Sequence, residues 1–510
     1  MTIKLIKMSF LLILSIGLTK SSFFLEHYLT QLISKKRHNL SQLTYAVNKE
    51  NIAALTLIWE QSEFHSKGWV DIAITLSKTQ GEASYQLALF YKDNPEMAIF
   101  WFENAIRLKN TNAALALAQL YFAQEKVSDA LNIIEALSSD EFETNRLEFI
   151  ILKINIAIYQ GNVEEGSQLY KENKHEIGLK VSGKLLLANI KKYQINLTKE
   201  DLINDNMITP KCDNSIQLFA TNLNHLEHLE KVINDIQKSA LNQFVCFETV
   251  RYMPIETLEC RSGSSEAIKC NELHWQLWAK SINSRYVGLM LPKGGANVHL
   301  GVLYFDSEDT VEVITHEISH LLGFVDEYPL VEKHTFCQKP QNHAKAQNVS
   351  VLKFQYKGIK KQIRDTILKK LGWGKLIKPT TPILQLIENK NEESYWLLGT
   401  PEHYREEIGV FKSKTCDKNK NLAFGAFKST LLTTKLEYFG LPFPKLYLAL
   451  LDENINKFRM PSFHYNIALA YYQQSTDKNN DLDRGRYWIK QAELREEDNK
   501  RRKKIREGQF

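Results

Sequence analysis

From about residue 25 to 200, apolar residues recur at spacings of three and four with few Gly or Pro to interrupt them, a pattern that predicts helices throughout. The pattern also repeats. Ala83-Ser84-Tyr85-Gln86-Leu87-Ala88-Leu89-Phe90-Tyr91 returns thirty residues later as Ala113-Ala114-Leu115-Ala116-Leu117-Ala118-Gln119-Leu120-Tyr121, and the run from Ala98 to Ala105 is echoed from Ala130 to Ala136. Alternating alanine with large apolar residues suits paired helices, because small side chains let two backbones approach and large ones fill the space between them. A stack of such pairs presents a concave surface. It either holds a protein partner or serves as a scaffold.

Near residue 204 the period changes. Ser215 to Ala220, Phe244 to Tyr252, Tyr286 to Leu291 and Val298 to Phe305 read as strands, with a helix over Leu223 to Leu241 between the first two. The last of these strands runs directly into the amphipathic stretch from Val313 to Leu322, where Val313, Ile314, Ile318, Leu321 and Leu322 form one apolar stripe. Asp306 or Ser307 is placed to cap that helix. Beyond it come a polar loop to Asn348, a helix over Ile359 to Leu371 ended by Gly372-Trp373-Gly374, and mixed runs to about 451. Tyr465 to Tyr472 and Arg486 to Ala492 then return to the earlier helical pattern. The fold class expected is multidomain, α and α+β. Its parts are a leader or anchor at 1–22, an α-helical repeat array at 23–203, an α+β domain at 204–452, and a C-terminal helical hairpin with a charged tail at 453–510.

The chemistry concentrates in Thr315-His316-Glu317-Ile318-Ser319-His320-Leu321-Leu322-Gly323-Phe324-Val325-Asp326-Glu327-Tyr328. Four residues apart on a helix, His316 and His320 share a face, so their imidazoles can meet on one metal ion. Glu317 lies one position round, where a base for a metal-activated water belongs. Gly323 supplies the positive φ that ends the helix and lets a third ligand return. Asp326 is the candidate for that ligand, with Glu327 its nearest rival and His334 and His343 more distant ones. His299 is read as an ordinary strand residue.

The motif HExxHxxGxxD resembles the zinc signature of the metzincin peptidases, with aspartate in place of the usual third histidine. Its continuation Gly323-Phe324-Val325-Asp326-Glu327-Tyr328, followed by Asn348-Val349-Ser350, is similar to the IgA-peptidase-like zinc peptidases. The resemblance covers about residues 205 to 445. It implies a Zn2+ cofactor held by His316, His320 and Asp326, Glu317 as catalytic base, and a peptide or protein substrate laid along an edge strand within 298–305. Metzincins also carry a methionine in a turn below the metal, whereas the only methionine after this motif is Met460. Leu431 or Leu432 is the candidate for its place, and Tyr328 or Tyr438 for stabilising an oxyanion. The helical part resembles tetratricopeptide or Sel1-like repeats. The alternative is a helical-repeat adaptor whose metal site is structural or inactive.

Composition narrows the setting. At 44% hydrophobic and 24% charged residues the chain is globular. Much of its net charge of +6 comes from the tail between Arg495 and Arg506, and no basic groove with interleaved aromatics points to nucleic acid. Lys4 and Lys7 precede the uncharged stretch Met8 to Leu18, the pattern of an export signal, and Lys20 leaves open whether it is cleaved or stays as an N-terminal membrane anchor. The six cysteines, Cys212, Cys246, Cys260, Cys270, Cys337 and Cys416, all fall in the α+β region. An even number in one exported domain predicts up to three disulfides and a periplasmic or secreted location. Cys260 and Cys270 are close enough in sequence to close a short loop.

Overall fold

The computed structural model describes residues 24–137, 145–195, 212–261, 267–388, 393–419, 423–474 and 478–509. The leader or anchor segment at 1–22 lies outside them. No helix among the described residues is long and apolar enough to cross a membrane. A helical array comes first and a mixed α/β region follows. By its own contacts the chain divides into two compact units, Met1–Ile156 and Ala157–Phe510, and the division falls inside the helix Arg146–Gln160.

In the first unit, helices such as Ile52–Gln61, Gly81–Phe90, Pro95–Arg107 and Thr111–Ala123 follow one another with short connections. The sequence sets their ends locally. Asn39, Asn51, Asn94 and Asn110 each sit at an N-cap, where the side-chain oxygen accepts a backbone N–H of the first turn. Several helices close on a residue with positive φ, among them Lys36, Glu50, Lys109 and Glu125, followed by a backbone bond such as Asn110 N to Ala105 O. Between the helices lie Ala88, Ala98, Ala105 and Ala113, all but sealed from solvent, with Phe102 and Leu117 filling the gaps. The alternation of small and large residues is therefore a packing pattern.

The second unit is built on a six-stranded sheet: β1 (Ser215–Ala220), β2 (Cys246–Phe247), β3 (Arg251–Tyr252), β4 (Tyr286–Leu291), β5 (Asn297–His299) and β6 (Val302–Asp306). Its order is β2-β1-β4-β6-β5, with β3 pairing farther along β1. Every pairing is parallel except β5 with β6. Two expected strands are thus each broken in two. The stretch 244–252 meets β1 only at its ends, and 298–305 folds into a hairpin at Leu300 and Gly301, both with positive φ. Gly301 is needed there for a second reason, since a Cβ would lie 2.7 Å from Phe463 N and Pro461 O.

β1 and β4 are buried along their whole length, as a sheet covered on both faces requires. Phe219, Val287, Leu289, Val302 and Tyr304 share a core with Phe463, Ile467, Tyr471 and Trp488 of the C-terminal helices Phe463–Gln474 and Lys478–Glu493. The C-terminal hairpin is thus part of the α/β body. Leu218 and Leu303 point the other way, and helices Leu223–Gln237 and Val311–Leu321 pack against the sheet and each other. Helix Val181–Lys192 also joins this unit: Tyr252 N donates to Tyr193 O at 3.1 Å and Asn189 Nδ2 to Glu227 Oε1 at 3.0 Å. Three disulfides staple the body, Cys212–Cys246, Cys260–Cys270 and Cys337–Cys416, the second being the short loop expected.

Candidate metal centre

The motif helix runs from Val311 to Leu321, starting a turn later than an Asp306 or Ser307 cap would place it. Thr310 is its N-cap. Asp306 is occupied by a turn of its own, accepting from the backbone of Glu308 at 2.8 Å and Asp309 at 3.0 Å. Ile314, Ile318 and Leu321 are fully buried on the helix's inner side. Its last turn is held by the body of the fold, since Tyr286 Oη at 3.2 Å and Met460 N at 2.8 Å both donate to Leu321 O. The chain leaves the helix at Gly323, with φ +91°, where a Cβ would lie 2.4 Å from Phe458 O. Only glycine fits that exit.

Gly323 brings Asp326 back to the helix. Its Oδ1 lies 3.0 Å from His316 Nε2 and 3.2 Å from His320 Nε2. His316, Glu317 and His320 also offer one ligand atom each within 4.8 Å of one another. Each imidazole is oriented from behind: His316 Nδ1 lies 3.0 Å from Lys435 O, and His320 Nδ1 lies 3.1 Å from Phe324 O. With a proton on each Nδ1, both Nε2 lone pairs face the same small volume. Ligands at 2.0–2.1 Å from a tetrahedral zinc ion stand roughly 3.3 Å from one another. The two measured separations are close to that edge, so this donor set fits the ion.

The charges in the centre act on one another at close range. Burial opposes protonation of His320, but the Asp326 carboxylate and Glu317 beside it raise it to about 10. Burial likewise opposes ionisation of Asp326, yet His320 and the bonds from both imidazoles hold it well below the usual carboxylate range. Glu317 differs. Burial pushes its carboxyl above its ordinary range, against the pull of His320 and His316. An acid with an elevated pKa beside two imidazoles is suited to taking up and returning a proton.

The rivals of Asp326 are engaged elsewhere. Glu327 is completely buried and points into the interior. His334 Nδ1 accepts from Phe336 N at 3.2 Å, and His343 is exposed beside Lys504, Lys345 and Lys457. His299 bonds Asn466. Among the tyrosines, Tyr328 lies near enough to Asp326 for its charge to raise the phenol's pKa, after the larger effect of burial, and its ring stacks with His316 at 6.2 Å, while Tyr438 is exposed. Leu431 and Leu432, expected beneath the site, are 37% and 48% exposed, whereas Leu436 of the same stretch is buried.

Some contributors have roles that the sequence pattern did not assign. Lys435 acts through its backbone carbonyl, for which residue type carries no signal. Thr415 Oγ1 donates to Asp326 O at 2.7 Å from 89 residues away. Asn348 grips both neighbours of Asp326, accepting from Val325 N at 3.0 Å and donating to Val325 O at 2.8 Å and Glu327 Oε1 at 2.9 Å. No protein-family model, no curated protein and no solved structure matches this chain.

Proposed function

We propose that this chain is an exported zinc-dependent endopeptidase of metzincin-like architecture, similar to the IgA-peptidase-like enzymes, with His316, His320 and Asp326 as ligands and Glu317 as general base. The observation that carries this reading is the convergence of two imidazole Nε2 atoms on one Asp326 oxygen at 3.0 Å and 3.2 Å, each ring being fixed from behind by a carbonyl. Zinc bound there would supply Lewis acidity towards a peptide carbonyl and acidify the attacking water. Glu317 takes the proton of that water and returns it to the leaving nitrogen, a role that its raised pKa supports. β5 is the end strand of the sheet and lies beside the motif helix, so an extended peptide adding to it would bring its backbone to Glu317. The substrate-edge role thus falls to Asn297–His299, because β6 is paired on both sides. Complete pairing of the described cysteines fits an oxidising compartment.

The test combines metal analysis with Glu317→Gln. The purified chain should hold one zinc per molecule, and the variant should keep that zinc while hydrolysis of a peptide library falls by roughly a thousandfold. A metal-free wild type, or a variant as active as wild type, would overturn the proposal. One observation favours the non-catalytic adaptor as a second reading: Asp326 Oδ1 is within hydrogen-bond reach of both imidazoles, so the cluster can close on itself without an ion. In that case metal analysis finds none and the helical array carries the function.

A further inference from the structure

We propose that Glu327 is a positioning residue of this centre: it binds no metal, but pins the strap of residues 432–436 on which the His316 imidazole rests. The inference rests on the zinc reading above. Asp326 and Glu327 are neighbours in sequence but present their carboxylates to different surroundings. Asp326 faces the two imidazoles. Glu327 faces inward, where it is fully buried among Asn348, Lys428, Thr434 and Tyr447, each also almost or completely buried.

Every acceptor site of that carboxylate is taken. Oε1 accepts from Asn348 Nδ2 at 2.9 Å and from Tyr447 Oη. Oε2 accepts from Lys428 Nζ at 3.0 Å and Thr434 Oγ1 at 2.8 Å. A carboxylate offers about four lone-pair sites, so none is left for a metal.

Three bonds, one of them from that carboxylate, converge on the strap. Thr434 is held through its hydroxyl, and Leu436 O accepts from Glu327 N at 2.9 Å. Leu432 O accepts from Lys428 Nζ at 3.0 Å, and Lys428 is itself the ion-pair partner of Glu327. Lys435 lies between the two residues that Glu327 holds directly, and its carbonyl is the one 3.0 Å from His316 Nδ1. Fixing Thr434 and Leu436 fixes that carbonyl. The carbonyl sets the tautomer and the orientation of His316. His320 is oriented by Phe324 O instead, so it does not depend on the strap.

Two variants of the full chain test this. Glu327→Gln removes the charge. The double variant Thr434→Val with Tyr447→Phe removes two donors and leaves every charge in place, which keeps the test decisive if the first does not fold. Two quantities are measured, zinc affinity by chelator competition and the ring 15N resonances of His316 and His320 in the metal-free protein. Both variants should bind zinc about ten- to a hundredfold more weakly and shift the His316 Nδ1 resonance, while the His320 Nδ1 resonance stays put. Wild-type affinity and an unmoved His316 resonance in the double variant would overturn the inference. So would equal movement of both histidines, which signals a general loss of structure. A wild type that binds no zinc instead sinks the metal reading, while the resonances still report whether Glu327 holds His316.

Discussion

In the first unit Ala105 packs beside Ala98 and Phe102 of its own helix and Ala113 of the next, whereas in the second Cys337 is joined to a cysteine 79 residues on. The array is assembled from neighbours in sequence. Its caps, its positive-φ helix ends and its small buried alanines all act within a few tens of residues. The α/β body depends on distant pairings: β1 lies between β2 and β4, Phe463 packs with Trp275, and Arg285 donates to Met460 O at 3.1 Å and forms a buried ion pair with Glu496. Its larger loop-closure cost is offset by covalent bridges that among the described residues occur only there. The convergence of His316, His320 and Asp326 needs side chains held from several directions at once, and this second construction supplies them.

Removing the longest bridge should break the contrast most visibly. Cys337→Ser with Cys416→Ser opens a loop of 79 residues and should destabilise the second unit by about 4 kcal/mol. Hydrogen exchange should then show protection lost across the sheet and retained in the helices between residues 40 and 135; equal loss in both would mean that the array depends on the bridge. Next in size is the converse variant. Ala105→Leu places a large side chain at a position with no exposure and should cost the array about 1–3 kcal/mol, leaving protection in β1 and β4 unchanged.

A pH dependence carried by the second unit, spread over several pH units, sharpens the contrast further. Burial pushes the Glu272 carboxyl from the ordinary 4.5 up to about 8, and its Oε1 accepts from Tyr304 Oη at 3.1 Å. The folded protein therefore holds a proton there that the unfolded chain releases. Stability from this group is complete below about pH 4.5 and is lost as pH rises towards 8. Denaturant unfolding should show a decline of about 1.4 kcal/mol per pH unit within that window. Glu272→Gln should remove it; an unchanged slope in the variant would place the dependence on another group.

The helical period of the first unit, the His316 and His320 spacing, Gly323 at the exit from the helix and the even cysteine count are all legible in the sequence, because each rests on local geometry or on simple number. That glycine lets the chain turn back towards the histidines, without saying which of Asp326 and Glu327 will face them. The split of residues 298–305 into β5 and β6 was not legible. Its apolar run is continuous, and the turn at Leu300 and Gly301 answers to a backbone contact with Phe463 that comes from far along the chain.

What residue order determined by itself is therefore the helical period of the first unit and a pair of histidines sharing one face of a later helix. The tertiary structure alone decided which of two adjacent acids turns towards the histidines, which cysteines pair, and that residues 463–493 complete the sheet's core. Each of these depends on a partner tens to hundreds of residues away, and a periodic pattern along the chain carries no information about which distant group will be there to meet it.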